Sequence, residues 1–248
     1  MMIVAIAAQE LKRLFVSPLA WCVAAVEQLI LAYFFLIAVD EYLAVQSQLA
    51  ALESAPGVGD LIVAPLFGDA AVFLLFAVPM LTMRLIADER RSQTLSLLFS
   101  APVSMTEIVL GKYLGVTAFF LLLVALIGLM PLALLVGGTL DFGLYAAGLL
   151  GISLLVASFT ALGLFMSTLT VQPAIAAIST FAVLLLLWVV DWSGSQGSGV
   201  LEYLSILRHY QSLLRGVFDS SDLAYYLLFI ATFLILSIRR LDADRLQH

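Results

Sequence analysis

The chain has one cysteine, Cys22, and two histidines, His209 and His248. One thiol supports neither a disulfide framework nor a thiolate metal cluster, and two distant imidazoles do not suggest a histidine metal site. Charge is equally scarce, at 11% of 248 residues, where a soluble domain carries roughly 25%. Hydrophobic residues make up 63%, and the mean hydropathy is +1.13. A chain so short of polar side chains cannot cover itself in water, so its outer surface is expected to face lipid. Catalytic signatures are missing as well. The nearest approach to a phosphate-binding loop is Gly111-Lys112, but Thr106 and Tyr113 break the Gly-x4-Gly-Lys-Ser/Thr frame. No Gly-x-Ser-x-Gly, His-Glu-x-x-His or repeated Asp pattern points to a hydrolase or transferase. No enzyme activity, no cofactor and no nucleic-acid partner is therefore expected of this chain. The N-terminus does not read as a cleavable signal, because Glu10, Lys12 and Arg13 follow the first apolar stretch and the next apolar run is too long.

What the sequence does have is long apolar runs. A bilayer core takes about 20 residues of helix. Leu19–Val39 is one run, interrupted only by Glu27. Ala70–Leu85 is a second, containing Pro79, and Leu114–Val136 a third, with a kink expected at Pro131. Between Phe142 and Val190 there is no charged residue. That stretch would be about 74 Å of helix, too long for one crossing. Thr170-Val171-Gln172-Pro173 divides it, since proline suits a first helical turn and not a helix interior. The last run, Leu223–Ile238, extends back to Ser221. The expected fold is an all-α polytopic membrane protein forming a single domain over 1–248. Its six transmembrane helices are placed at about 19–39, 70–86, 114–136, 142–169, 173–191 and 221–238.

Basic residues orient such a chain. With the N-terminus inside, Lys12, Arg13, Arg84, Arg90, Arg91, Lys112, Arg239, Arg240 and Arg245 all fall on the cytoplasmic side, leaving Arg208 and Arg215 outside. Both termini are thus expected in the cytoplasm, and most of the acids lean outward.

The segments between the runs are informative. Residues 1–17 read as an interfacial segment, with Val4, Ala7, Leu11, Leu14 and Phe15 on one stripe of an amphipathic helix and Gln9, Lys12 and Arg13 opposite. An N-terminal extension of the first span is the alternative. Ser17-Pro18 supplies a helix start. Residues 40–69 read as an acidic outer connection. Residues 192–222 open on a Gly/Ser-rich hinge and continue with helically spaced leucines. Short outer helices dipping into the outer leaflet and a plain surface helix fit these equally. Between the second and third spans, Leu95, Leu98 and Phe99 form a short amphipathic stripe ended by Ala101-Pro102. Ser104-x-x-Glu107 then reads as a capping box. A helix, a proline turn and a second helix on the inner face could present a knob to a cytoplasmic protein and pass motion into the membrane. An ordinary solvated loop is the alternative.

The stretch from Glu89 to Gly115 resembles the cytoplasmic loop of type-2 ABC exporter permeases, with Glu89, Arg90, Arg91, Thr94, Leu95, Leu98, Ala101, Pro102, Gly111 and Lys112 matching the pattern and Gln93 standing where glycine is usual. Glu10-Leu11-Lys12 with Ser17-Pro18, Pro79-x-x-Thr82-Met83-Arg84, and Arg215-Gly216-Val217 are similar to the gliding-motility-associated branch. The resemblance implies a permease in a bacterial inner (plasma) membrane, paired as a homo- or heteromeric dimer, with two cytoplasmic ATPase subunits carrying ATP-Mg. It implies a coupling helix between spans two and three, its ATPase-facing residues being Glu89, Arg90, Arg91, Thr94, Leu95, Leu98, Phe99, Ala101 and Pro102.

Glu27, the one acid within a span, is costly there and is a candidate for the substrate pathway. Structural pairing with Gln28, with a Ser or Thr of another span, or with water is the alternative. Small residues Ser158, Gly163 and Ser167 on the fourth span would permit close helix contact. His209 reads as a surface or interfacial residue rather than a pH sensor. The function expected is an ABC permease, with export as the expected direction. Two alternatives stay open: an ion- or proton-coupled secondary transporter using Glu27, and a non-transporting anchor for an envelope ATPase complex.

Overall fold

A computed structural model describes residues 2–49, 57–94, 103–136, 140–194 and 205–246. Among these residues there are helices and turns and no strand. The elements are α1 (Met2–Val16), α2 (Pro18–Leu49), α3 (Ala64–Thr82) led in by a π-helical turn at Gly59–Val63, and the short α4 (Ala87–Arg91). They continue with α5 (Met105–Leu132), which ends in a 3-10 turn at Ala133–Val136, then α6 (Phe142–Leu169), α7 (Pro173–Gly194), α8 (Ile206–Leu214) and α9 (Ser220–Arg245).

Five helices are long and apolar enough to cross a membrane: Pro18–Gln46, Gly59–Arg91, Met105–Leu135, Phe142–Leu169 and Ser220–Arg245. Pro173–Val189 is a shorter apolar helix. The expected break at Thr170–Gln172 is present, with α7 starting on Pro173. Helix α2 continues past Val39 to Leu49, and helical turns resume at Gly59, so helix extends into both sides of the connection expected at 40–69. Hydropathy locates the apolar part of a helix, whereas the helix itself runs on through good helix formers such as Glu41. The helix also passes through Pro131 before tightening.

Helix α6 is the axis of the molecule, packed against α3, α5, α7, α8 and α9. Of its apolar stretch 61% is buried, against 22% for α2 and for α9, which lie at the periphery. Gly163 explains how α3 comes so close: a Cβ there would sit 2.2 Å from Thr82 Oγ1. Thus the small residues of α6 serve packing within the chain. Helix α3 carries Pro79, ends at Thr82, and turns over residues 83–86 into α4. The backbone groups freed at this elbow are taken up by one side chain of α6. Ser167 Oγ accepts from Ile86 N and Ala87 N, each at 3.0 Å, and donates to Met83 O at 3.0 Å.

The two ends of the bundle differ. One carries α8, which turns Ile206, His209, Tyr210 and Leu213 inward. Tyr210 donates to Phe67 O (2.7 Å), and Tyr226 donates to Ile206 O (3.0 Å). Burial pushes the Tyr210 hydroxyl well above its ordinary range. His209 meets Asp222 at 2.6 Å and stacks on Tyr225 at 4.2 Å. It is therefore buried within the chain, not at the surface or interface as expected. Of the Gly/Ser-rich hinge, residues 195–204 lie outside the described residues. The other end gathers α1, α4, the start of α5 and the end of α9, and charge is concentrated there.

Replacing Ser167 with Ala leaves two buried N–H groups unpaired. The expected loss is about 1–3 kcal/mol of stability, read as a lower unfolding temperature of the detergent-solubilised chain, while Ser153→Ala, whose hydroxyl bonds only within its own helix, leaves it unchanged.

Candidate functional site

The charged end is built from residues far apart in sequence. Helix α1 lies across the foot of α5 because Gly111 and Gly115 clear a path for it. A Cβ on Gly111 would fall 2.6 Å from Ile6 Cβ, and one on Gly115 would fall 2.7 Å from Ala7 O. Phe15 adds an edge contact with Phe119, ring centroids 5.6 Å apart. This approach brings Glu10 over Lys112. The Lys112 ammonium, with 4% of its side chain exposed, reaches Glu10 Oε1 at 2.5 Å and Glu89 Oε1 at 2.5 Å. Arg13 lies 3.9 Å from Glu10 and 3.7 Å from Asp88. Arg90 pairs with Asp244 near the end of α9, and Arg240 reaches the same carboxylate at 3.5 Å. One buried ammonium thus joins α1, α4 and α5, and the neighbouring arginine joins α4 to α9.

Helix α4 is stopped in a defined way. Gln93 N donates to Arg90 O (3.3 Å) and Thr94 N donates to Glu89 O (3.0 Å), the paired bonds of a Schellman motif. Such a motif needs a left-handed residue at its turn, and Gln93 adopts φ 57°. This is the physical reason a glycine fits that position. Thr94 Oγ1 adds a 3.3 Å bond to Glu89 O and meets Ser92 Oγ at 2.9 Å. On the other side, α5 starts with the expected capping box: Ser104 N donates to Glu107 Oε2 (3.1 Å) and Glu107 N donates to Ser104 Oγ (3.2 Å). The segment between is therefore anchored at Thr94 and Val103 by two capped helices.

The expected ATPase-facing residues divide into three groups. Glu89 and Arg90 turn into the chain as ties. Arg91 and Thr94 are exposed, and Arg91 lines a 620 Å³ cavity with Arg84, Asp88 and the Val171–Ala174 turn. Leu95, Leu98, Phe99, Ala101 and Pro102 lie outside the described residues. Glu10, Asp88 and Asp244 were not among the site residues expected from the sequence, although Glu10 is part of the Glu10-Leu11-Lys12 resemblance. Two signals for the first were present: Glu10 falls on the apolar stripe of α1, between Ala7 and Leu14, and Gly111-x3-Gly115 marks a helix crossing.

Glu27 stands apart. It is 2% exposed, and neither carboxylate oxygen has a hydrogen-bond partner. Pairing with Gln28 is not what the chain adopts, since Gln28 donates to Leu123 O at 3.3 Å. Among the described residues no group of three or more His, Cys, Asp or Glu could hold a metal ion.

Two comparisons bear on what this arrangement serves. A family model described as ABC-2 family transporter protein matches residues 31–208, well over half of the chain. No curated protein matches it. The match takes in α4 and the foot of α5, and leaves out Glu10, Glu27 and Asp244.

Replacing Lys112 with Met strands two acids at a buried junction and is expected to cost about 3–5 kcal/mol. Adding Glu10→Leu recovers part of that loss in a thermal unfolding series. Gln93→Gly removes a left-handed non-glycine residue and is expected to stabilise the chain by about 1 kcal/mol in the same measurement.

Proposed function

We propose, from the premise that this chain belongs to the ABC-2 family of transporter proteins, that its charged end is the lever through which a separate ATPase drives it. Membership makes the chain a multi-pass membrane permease of an ABC transporter and implies association with an ATP-binding subunit. Beyond that, our reading is of an exporter in a bacterial inner (plasma) membrane, of the gliding-motility-associated branch. It works as a dimer with two cytoplasmic ATPases that hold ATP-Mg.

The observation that carries the reading is the Lys112 junction. The loop 95–102 is the coupling segment in this proposal, with Leu95, Leu98 and Phe99 as the knob. It leaves α4 at a capped end, and α4 is tied through Glu89 to Lys112 and Glu10, and through Arg90 to Asp244. A push on the loop would then reach α1, α5 and α9 together. Glu89 and Arg90 act in this reading as the mount, while Arg91 and Thr94 remain available at the surface.

The reading also takes six crossings, with both termini cytoplasmic. In support, α1 and the end of α9 are both tied to α4 at one end of the bundle, as an even number of passes would place them. Helix α7 starts beside Arg84 and Arg91 at the charged end and packs against α8 at the other. Its 22 residues are about 33 Å long, enough for a hydrocarbon core of about 30 Å.

The test is Leu95→Asp with Leu98→Asp in the complex purified with its ATP-binding subunit. Membrane insertion and the unfolding temperature of the permease should stay as they are, while the ATP-binding subunit no longer co-purifies. A double variant that still holds the subunit and still stimulates its ATP hydrolysis would overturn the lever.

A further inference from the structure

Glu27 lies about 14 Å along α2 from Pro18, inside the apolar part of the helix. It closes one side of a 290 Å³ groove between α2 and α3 whose other walls include Cys22, Val26, Phe73, Phe76 and Met80. Glu27 is the only charged wall residue the groove has among the described residues. Both of its oxygens are buried and unsatisfied. An unsatisfied polar group in hydrocarbon costs several kcal/mol, so such a carboxyl persists where something outside the chain meets it.

A second copy of the chain does not supply that partner. From Pro18 to Leu49 helix α2 has no basic residue, and neither does the stretch from Phe142 to Val190. Packing α2 on α2 would set acid against acid. The arginines and lysines lie toward the two ends of the bundle, and Lys112, seven residues into α5, is already held by Glu10 and Glu89. The complement must come as a small ligand whose apolar body fits between the aromatic walls and whose head donates to two oxygens. An ammonium group has three donors and the opposite charge, whereas an alcohol has one donor and none.

We propose that the groove between α2 and α3 is a binding site for a membrane-soluble amphiphile with a cationic amine head, held by Glu27. The ligand enters sideways from the bilayer, because α2 is one of the least buried long helices. Glu27 lies outside the family match, so nothing in that match assigns the site. The inference goes beyond the permease reading and needs no ATPase.

The test uses the full chain in phosphatidylcholine nanodiscs, without any ATP-binding subunit. The probe is dodecylamine carrying a diazirine in its tail, with unlabelled dodecylamine and dodecanol as competitors and cross-linked peptides mapped by mass spectrometry. Labels should map to α2 near Val26 and to α3 between Phe73 and Met80. Dodecylamine should compete about tenfold better than dodecanol, the scale of one charged hydrogen bond. Glu27→Gln should remove that preference and leave dodecanol unchanged, with the unfolding temperature confirming an intact fold. Cys22→Phe, at an exposed position on the groove wall, should weaken both competitors. The site is refuted if the two competitors act alike on the unmodified chain, if labels fall elsewhere, or if cross-links place a second copy over the groove.

Discussion

An ammonium group buried between two carboxylates holds the charged end of this molecule together. Taking Lys112, Glu10 and Glu89 out of water is costly, and the attraction offsets that cost only in good geometry. Such a cluster is therefore a poor source of net stability and a strict constraint on position. Here the constraint is shared with backbone packing. The ammonium meets Glu10 because α1 lies against α5, and α1 lies there because residues 111 and 115 carry no side chain. Charge pairing and helix crossing cannot form separately. Since the participants come from residues 10, 89 and 112, the junction also fixes how three segments of the chain sit relative to one another. Arg90 and Asp244 extend it to a fourth.

That construction bears on how a membrane permease can be driven from outside the membrane. A loop alone transmits little, because its own torsions absorb the displacement. On either side of residues 95–102 stand a Schellman turn and a capping box, each continuous with a helix. Ser167 fastens the elbow above α4 to α6, the most enclosed helix. In the proposed lever, displacement at α4 would work against this axis and be carried to the helices tied to α4. Exposed basic residues at Arg84 and Arg91 leave this face open to an acidic surface.

Much of this was legible in the chain itself. Apolar runs located the long helices, Pro173 marked the division of the longest run, and Ser104 with Glu107 announced the cap of α5. These are local signals, fixed by neighbours in sequence. The junction was not legible in the same way. Lys112 read as one more basic residue near a membrane boundary, because its partners lie 102 and 23 positions away. His209 was misplaced for the same reason: its burial comes from α9 and not from its own helix. Gln93 is instructive, since the resemblance to ABC permeases marked it as a departure from glycine. Only the left-handed backbone shows that the departure keeps the conformation and adds strain.

The helix that carries Glu27 is tied to its neighbours by few polar contacts. At its N-terminal end α2 is joined to α1 through an elbow at Ser17, where Trp21 Nε1 donates to Phe15 O at 2.6 Å, and along its length Gln28 donates to Leu123 O. No ion pair among the described residues holds it. Helix α1, by contrast, is locked to Lys112. A shift of the junction can reach α2 through the Ser17 elbow and through α5, against which α2 also packs. The groove that Glu27 closes lies between α2 and α3, and α3 is held to the axis by Gly163 and Thr82. Movement of one wall against a fixed one changes the width of the groove. The charged end and the lone carboxyl, about 14 Å into α2 from Pro18, are in this way two points on one mechanical path.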